Sequence, residues 1–266
     1  MGIPTAMLQT IPTILEKIVD HKRSELVRSV SKRVALERRA AARKDYRGFQ
    51  AALTAQPPAI LAEIKRASPS KGLLAPDYDP RRIARAYMDG GAACLSVLTD
   101  ERFFQGSLDD LEAARQECSI PVLRKDFTLD PFHVLEAAAR GADAILLIAA
   151  ILTREELTKL REYAESFGMA ALVEVHDEEE LARSVDSGAR ILGVNNRDLH
   201  DFQVKLSTSL RLASKLPSGA VKVSESGILS SADMRKLAEA GYQAFLVGEH
   251  LMKSADPAAA LWELRS

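Results

Sequence analysis

The chain has 266 residues, of which 47% are hydrophobic and 27% charged, so the composition supports a sizeable buried core. Its formal net charge of -1 argues against electrostatic attraction to nucleic acid or acidic membranes. Two cysteines, Cys94 and Cys118, are too few for a disulfide framework or a metal cluster. The longest apolar run, at 144–152, is too short to cross a bilayer, and no secretory leader pattern is visible. We therefore expect a cytoplasmic protein.

The first predicted element is helical and covers residues 10–45. Apolar residues such as Ile14, Ile18 and Val30 recur there at helical spacing and form one stripe. The basic stretch SKRVALERRAAARK in its second half is typical of a solvated helix face. We predict that residues 1–55, roughly, form a helical extension packed on the rest of the chain.

Beyond this extension, short β-branched runs alternate with amphipathic helical stretches. The runs predict eight strands, at 59–64, 94–99, 121–125, 144–149, 170–175, 191–195, 221–225 and 244–248. Strands that alternate with helices are parallel and joined by crossovers, and eight such units predict one closed (β/α)8 TIM barrel, with residues 1–266 as a single domain. An open doubly wound sheet is the alternative, but no G-x-G-x-x-G motif follows the first strand.

Polar residues collect at the predicted carboxyl ends of the strands, where barrel enzymes hold their catalytic groups. They are Glu63 and Lys65 after the first strand, Lys125, Glu174, Asn195 with Asn196 and Arg197, Glu225 with Ser226 and Gly227, and Gly248 with Glu249. Any one of these charges could be an ion pair at the barrel rim. Six of them at the same end instead predict an active site: Lys65, Lys125, Glu63, Glu174, Glu225 and Asn195.

Three further features have two interpretations each. Gly227 and Gly248 follow the seventh and eighth strands, where barrels of this kind bind phosphate, and Ser226 could add a hydroxyl; plain turn glycines are the alternative. The loop RASPSKG is either a lid or an ordinary exposed turn. The five histidines show no metal-ligand spacing, so we predict no metal; His176 should alternate away from Glu174.

Seven segments, in order, resemble those of the indole-3-glycerol phosphate synthases of tryptophan biosynthesis. They are AEIKRASPSKG, VLRKDF, LLIAAIL, LVEVHDEEEL, GVNNRDL, VSESGI and FLVGEHLM. The resemblance covers the whole chain, including the N-terminal helices. It implies closure of the indole ring of 1-(2-carboxyphenylamino)-1-deoxyribulose 5-phosphate, with loss of carbon dioxide and water and without a cofactor.

The resemblance also implies roles for the matching residues. Lys125 matches the general acid that protonates the C2′ carbonyl oxygen, and Glu174 matches a base or a stabiliser of positive charge during dehydration. Lys65 would hold the substrate and serve as a second proton donor, Glu63 would orient the lysines, and Asn195 would orient the substrate. The implied substrate-binding residues are Arg197 for the carboxylate, Ser226, Gly227 and Gly248 for the phosphate, Glu225, Ser68 in the closing loop, and Pro69, Phe104, Phe127 and Leu146 around the anthranilate ring.

Other phosphosugar barrels remain possible at this stage. A Schiff-base aldolase would use Lys125 as its nucleophile. A neighbouring isomerase of the same pathway should carry a Cys/Asp acid–base pair, but neither cysteine lies at a predicted strand carboxyl end. A non-catalytic barrel would keep the glycines and need not keep Lys125 and Glu174. We expect a monomer that binds a small phosphorylated molecule, with no nucleic acid or membrane partner.

Overall fold

A computed structural model describes residues 13–29, 32–69, 71–75, 77–199 and 202–266. Within them, eight parallel strands close into a barrel in which each strand pairs with its sequence neighbours and the last pairs with the first. The strands are β1 Ala59–Ile64, β2 Cys94–Leu98, β3 Val122–Lys125, β4 Ala144–Ile148, β5 Ala170–Val175, β6 Ile191–Asn195, β7 Val221–Glu225 and β8 Ala244–Val247. The predicted (β/α)8 barrel is confirmed, and every predicted strand lies within one residue of its observed bounds.

Helices connect the strands and cover the outside of the barrel. Within the described residues they are α1 Thr13–Ser29, α2 Arg33–Ala42, α3 Phe49–Ala55, α4 Pro80–Asp89, α5 Glu101–Phe104, α6 Leu108–Glu117, α7 Pro131–Ala139, α8 Arg154–Phe167, α9 Glu178–Asp186, α10 Ser207–Leu212, α11 Ser231–Glu239, α12 Glu249–Met252 and α13 Pro257–Arg265. Two single turns of 3₁₀ helix, Ala149–Ile151 and Ala213–Lys215, follow β4 and α10.

Within the helical stretch predicted over residues 10–45, the described residues form two helices, α1 and α2, and residues 43–45 are not helical. Residues 10–12 and 30–31 of the prediction lie outside the described residues. The predicted solvated face is observed, because α2 is largely exposed.

The segment before β1 contacts both ends of the barrel. At the amino end, α3 buries Phe49 and Leu53, and the segment joining α2 to α3 is bound to the buried carboxylate of Asp143. Arg43 Nη2 lies 2.7 Å from Asp143 Oδ1, and the backbone N–H of Arg47 donates to the same oxygen at 3.0 Å. Arg115 Nη1 lies 2.5 Å from the other oxygen, Oδ2. These donors satisfy the buried carboxylate and fix the segment on the barrel.

At the carboxyl end, α1 is held by Lys22, which is only 5% exposed. Its ammonium group lies 2.9 Å from Asp126 Oδ1, after β3, and 3.2 Å from Asp100 Oδ2, after β2. Asp126 also accepts from Thr99 Oγ1 at 2.6 Å and pairs with Arg124 at 3.0 Å. This buried network joins α1 to the ends of two strands, at the same end of the barrel as the predicted active site.

Candidate active site

A pocket of about 320 Å³ lies at the carboxyl end of the barrel. Every residue that the sequence analysis assigned to catalysis or substrate binding lines it. They are Glu63, Lys65, Ser68, Pro69, Phe104, Lys125, Phe127, Leu146, Glu174, Asn195, Arg197, Glu225, Ser226, Gly227 and Gly248. The barrel thus brings together residues from all eight of its strand ends or the connections that follow them, with Leu98 and Phe104 contributed by β2 and its connection.

Lys125, the last residue of β3, lies between two carboxylates. Its ammonium group is 2.7 Å from Glu174 Oε2, on β5, and 2.8 Å from Glu225 Oε2, on β7. Burial favours the neutral amine, but the charges of Glu174 and Glu225 outweigh it and raise the pKa of Lys125. The lysine is therefore a stable ammonium group, placed in a buried site at the wall of the pocket.

The two carboxylates around Lys125 differ in their proton affinity. Burial alone would raise the pKa of Glu174, but the charge of Lys125 dominates and holds that pKa below its ordinary value. Burial raises the pKa of Glu225, and the neighbouring charge of Glu174 adds to the rise. The pair with one lysine therefore favours an ionised Glu174 and a proton on Glu225. Two carboxyl groups whose pKa values are shifted in opposite directions can act as acid and base, respectively.

Glu63 and Lys65 form a second acid–base pair at the end of β1. Lys65 Nζ lies 2.5 Å from Glu63 Oε1, and both side chains are largely buried. Gly248 makes room for this pair, since a Cβ at that position would be 2.3 Å from Glu63 Oε1. A buried strand carries these two charges because they leave the barrel core at its open end and pair there.

The turn after β7 is held in a tight left-handed conformation. Ser226 has φ 67° and Gly227 has φ 78°, and a Cβ on Gly227 would lie 2.4 Å from Val204 Cγ1. Asn196 Nδ2 donates to the carbonyl of Ser226 at 3.1 Å and to that of Glu225 at 3.0 Å. This turn, with Gly248 after β8, forms the side of the pocket that was predicted to bind phosphate.

The loop after β6 supplies the remaining polar groups. Asn195 is hydrogen bonded to Glu174, and its Oδ1 accepts from the backbone N–H of Arg197 at 3.0 Å. The guanidinium group of Arg197 donates to the carbonyl of Phe202 at 3.2 Å and lies 3.9 Å from Glu249 Oε2. Arg197 is thus held at the rim of the pocket, with its charge only weakly engaged by protein.

The opposite side of the pocket is apolar. Phe104 and Phe127 pack with ring centroids 6.1 Å apart, and Leu146, on β4, lies in the same wall. After β1, Ala67–Ser68 and Gly72–Leu73 pair as a small antiparallel hairpin that brings Ser68 and Pro69 to the pocket; Ser70 lies outside the described residues. An apolar slot with a few fixed polar groups is typical of a site for an aromatic ligand.

The chain matches the model of the indole-3-glycerol phosphate synthase family over residues 15–264. An indole-3-glycerol phosphate synthase of Polaromonas naphthalenivorans is 48% identical over 257 residues, which are 94% of this chain and 98% of the relative. The enzyme of the same name from Verminephrobacter eiseniae is 49% identical over 266 residues, covering 94% of this chain and 98% of the relative. The chain belongs to the indole-3-glycerol phosphate synthase family.

Solved structures with much lower identity share the fold of this family member. The 3-hexulose-6-phosphate synthase of Salmonella typhimurium superposes with a TM-score of 0.62 at 15% identity, over 78% of this chain and 96% of that one. The thiamine phosphate pyrophosphorylase of Pyrococcus furiosus gives a TM-score of 0.59 at 18% identity, over 78% and 93% of the two chains. At such identities the likeness supports the barrel fold alone.

Several pocket residues of this synthase-family chain were not predicted from the sequence. Ile14, Leu15 and Ile18, from α1, line the pocket, as do Leu199 and Phe202 from the loop after β6. The apolar stripe on the first helix was visible in the sequence, but periodicity does not say which end of a barrel such a stripe covers. Among the described residues, no group of three or more His, Cys, Asp or Glu side chains is arranged to hold a metal ion.

One histidine prediction is wrong. His176 was expected to alternate away from Glu174, but its Nε2 lies 3.5 Å from Glu174 Oε1. Residues two apart in a strand point to the same face, so strand alternation in fact places His176 on the side of Glu174, and the structure retains that placement one residue beyond the end of β5. Asn196, which follows Asn195 at the end of β6, holds the turn after β7 through its side-chain amide.

Proposed function

We propose that this pocket converts 1-(2-carboxyphenylamino)-1-deoxyribulose 5-phosphate to indole-3-glycerol phosphate, carbon dioxide and water. The chain is a carboxy-lyase of the indole-3-glycerol phosphate synthase family, and this reaction places it in tryptophan biosynthesis. The observation that carries the mechanism is the buried ammonium group of Lys125, paired with Glu174 and Glu225 beside an apolar slot.

Ring closure needs a proton donor at the ketone. The ring carbon that bears the carboxylate attacks C2′, and Lys125 gives a proton to the C2′ oxygen, which becomes a hydroxyl group. Loss of carbon dioxide from the same ring carbon then restores the aromatic ring. Glu174 and Glu225 support this step because they keep Lys125 protonated until ring closure, when the C2′ oxygen accepts the proton.

Dehydration needs a second acid and a base. Lys65 protonates the departing C2′ hydroxyl, which leaves as water, and Glu174 stabilises the positive charge that develops and accepts a proton from C1′. Glu63 orients Lys65, at 2.5 Å, and Asn195 orients the carboxylate of Glu174 and the bound substrate. The lower proton affinity of Glu174, compared with Glu225, suits the role of base.

Substrate binding uses three sides of the pocket. The phosphate binds at Ser226, Gly227 and Gly248, where the left-handed turn and the start of α12 meet. The carboxylate binds Arg197, whose guanidinium group offers a planar fork of donors. The anthranilate ring lies in the apolar slot, whose walls are Pro69, Phe104, Phe127 and Leu146, and Ser68 helps to close the loop after β1.

The Schiff-base aldolase alternative is disfavoured by the state of Lys125. An amine attacks a carbonyl only when it is unprotonated, and the carboxylates Glu174 and Glu225 raise the pKa of this lysine. The isomerase alternative lacks its thiol, because Cys94 and Cys118 lie outside the pocket and burial raises the pKa of both. A non-catalytic barrel does not explain a buried Lys–Glu–Glu cluster in the pocket wall.

The reaction is tested by mixing purified protein with the carboxyphenylamino-deoxyribulose phosphate and following indole fluorescence and carbon dioxide release together. Stoichiometric appearance of both supports ring closure. Borohydride added during turnover separates the aldolase, because only a Schiff base is reduced to a stable adduct at Lys125 that mass spectrometry locates. A reduced adduct at Lys125 without any indole product would contradict the synthase proposal and support the aldolase.

The remaining features of the proposal concern the chain as a whole. The barrel and its helical extension act as one domain over residues 1–266, as a monomer, without cofactor, metal or nucleic acid. The near-neutral charge supports the absence of a nucleic-acid partner. No helix within the described residues is long and apolar enough to span a membrane. The biosynthetic role supports a cytoplasmic location.

A further inference from the structure

His176 is a buried histidine that the mechanism above does not use. It follows β5 directly, outside the pocket lining, and its side chain is 14% exposed. Its Nδ1 lies 3.0 Å from Glu180 Oε2, and its Nε2 lies 3.5 Å from Glu174 Oε1. Among the described residues, Nε2 has no hydrogen-bond partner. The ring thus stands between a pocket carboxylate and a second carboxylate behind it.

Glu180 fixes the orientation of the ring. One of its oxygens, Oε2, accepts a hydrogen bond from the backbone N–H of His176, at 2.8 Å, and is also hydrogen bonded to the ring Nδ1. Glu180 is itself fixed in the first turn of α9, where its backbone N–H donates to Asp177 Oδ1 at 2.8 Å. A proton on Nδ1 is shared with Glu180, so Nε2 faces Glu174.

This orientation has a consequence for protonation. A neutral ring with its proton on Nδ1 would present the lone pair of Nε2 to a carboxylate oxygen, and the two would repel each other. A proton on Nε2 removes the repulsion and converts the contact into a charge-assisted one. Burial alone would lower the pKa of His176, but Glu180, Glu174 and the more distant Glu225 reverse that effect and raise it.

The two oxygens of Glu174 therefore have different cationic neighbours. Oε2 faces Lys125, at 2.7 Å, and Oε1 faces His176, at 3.5 Å. When Lys125 has given its proton to the substrate, its charge no longer stabilises the carboxylate. His176, with Nε2 3.5 Å from Oε1, then remains as a cationic neighbour that can stabilise it.

We propose that His176, held by Glu180, is a positioning residue that keeps Glu174 ionised and oriented after Lys125 has lost its proton. The inference rests on the proposed function, in which Glu174 acts as a carboxylate. His176 touches no substrate in this proposal and acts only through Glu174.

The first test is the pH profile of kcat/KM in two variants of His176. His176→Gln keeps an N–H donor without the charge, so Glu174 gains protons more readily and the acid limb moves upward by about one pH unit. The plateau stays within about threefold of wild type, since the donor is retained. His176→Leu loses donor and charge, and its plateau falls about tenfold or more. An acid limb in His176→Gln at the wild-type position would overturn the proposal.

The matched pair Glu180→Gln and Glu179→Gln separates this role from general charge effects. Both carboxylates lie in the first turn of α9, but Glu179 is 89% exposed and pairs only with Arg183 among the described residues. Glu180→Gln keeps an oxygen that accepts from His176 and removes the charge, so its acid limb moves in the same direction as that of His176→Gln. Glu179→Gln keeps the wild-type profile. Equal shifts in both variants would overturn the proposal.

A readout independent of activity is the ¹⁵N NMR titration of the His176 ring. In wild type the ring titrates above the ordinary histidine range, and Glu174→Gln and Glu180→Gln each lower its midpoint, whereas Glu179→Gln does not. A midpoint that is insensitive to Glu174→Gln would overturn the coupling. Absence of turnover in wild type would overturn the proposed function alone, because the NMR comparison still decides whether His176 and Glu174 are coupled.

Discussion

Lys125 shares one ammonium group between carboxylates from two different strands, Glu174 on β5 and Glu225 on β7. Two ionised carboxylates and one ammonium group leave the buried site with a net negative charge, which is costly in a low dielectric. A proton on Glu225 relieves it, and the structure favours that state because burial and Glu174 raise the pKa of Glu225. The cluster is then neutral, with one ionised carboxylate and one proton donor.

This proton on Glu225 has a measurable effect on stability. A carboxyl group whose pKa is raised by folding stabilises the protein at low pH, and that stabilisation is lost as pH rises toward the raised value. The loss is about 1.4 kcal/mol per pH unit within the window above the ordinary glutamate pKa. Glu225→Gln cannot titrate, so the free energy of unfolding of wild type relative to this variant should fall as pH rises from 5 to 7.

Urea unfolding of both proteins at pH 5, 6 and 7 checks this prediction. Comparing wild type with the variant cancels the titration of groups that the two share. A difference in free energy of unfolding that stays constant across the three pH values would show that Glu225 is ionised in the folded protein throughout.

Gly248 is predicted to be essential for the Glu63–Lys65 pair. A Cβ at this position would lie 2.3 Å from Glu63 Oε1, so Gly248→Ala must displace the carboxylate and, with it, Lys65. Misplacement of a catalytic group by about 1 Å can cost roughly 10²-fold in rate, and we expect a loss of kcat/KM of that order. Gly219→Ala is the matched control, because nothing lies within 4 Å of its added Cβ.

Steady-state kinetics and thermal melting of the two variants, measured side by side, distinguish a local effect from a folding defect. Gly219→Ala should match wild type in both. Wild-type kcat/KM in Gly248→Ala would contradict the close packing of Gly248 against Glu63.

The sequence alone predicted many of the side chains that line the pocket, including both lysines and three of the glutamates, but not how they pair. Glu63, Lys125 and Glu174 lie at or near the carboxyl ends of their strands, so they reach the open end of the barrel regardless of side-chain rotamer. The contacts of Lys125 with both glutamates depend on the barrel radius and on rotamers, which no single strand specifies. His176 was mispredicted for a different reason, since residues two apart in a strand share a face and the prediction placed it on the opposite one.

At the scale of elements, α1 lines the pocket and also binds the carboxyl ends of two strands. Its apolar residues Ile14, Leu15 and Ile18 line the pocket, and Lys22 pairs with Asp100 and Asp126. The apolar stripe was predicted, whereas the buried lysine was not. Spacing alone does not distinguish a lysine on the solvated face from one that reaches across a buried edge.

Replacement of Lys22 is expected to destabilise the protein strongly. Lys22→Met leaves Asp100 and Asp126 buried with one cation fewer, and removal of one partner from a buried ion pair costs about 3–5 kcal/mol. The exposed Lys17, on the same helix, provides the control variant Lys17→Met, which should change the free energy of unfolding by less than about 0.5 kcal/mol.

Chemical denaturation of the two variants measures this difference, and KM for the substrate tests the link to the pocket. Because Lys22 holds the helix that carries Ile14 and Ile18, Lys22→Met should also raise KM. Equal free energies of unfolding for Lys22→Met and Lys17→Met would contradict a stabilising role for the buried ion pairs of Lys22.

At the scale of the whole molecule, the barrel was predictable because one pattern repeats eight times. Each repeat pairs a β-branched run with an amphipathic helix, and a helix between two successive strands serves as the crossover that makes those strands parallel. The helical extension was less predictable, because its helices contact opposite ends of the barrel: α1 the carboxyl end, through Lys22, and α3 the amino end, through Phe49. Such long-range contacts leave no periodic trace in the sequence.

The most direct test of the proposed chemistry compares wild type with Lys125→Ala in the indole fluorescence assay, with circular dichroism used to establish that both are folded. We predict a growing indole signal from wild type and a loss of about 10²-fold or more in kcat for the variant, in the range expected for a general acid. A folded Lys125→Ala protein that forms indole at the wild-type rate would contradict the central role of Lys125 and would make Lys65 the proton donor to the ketone.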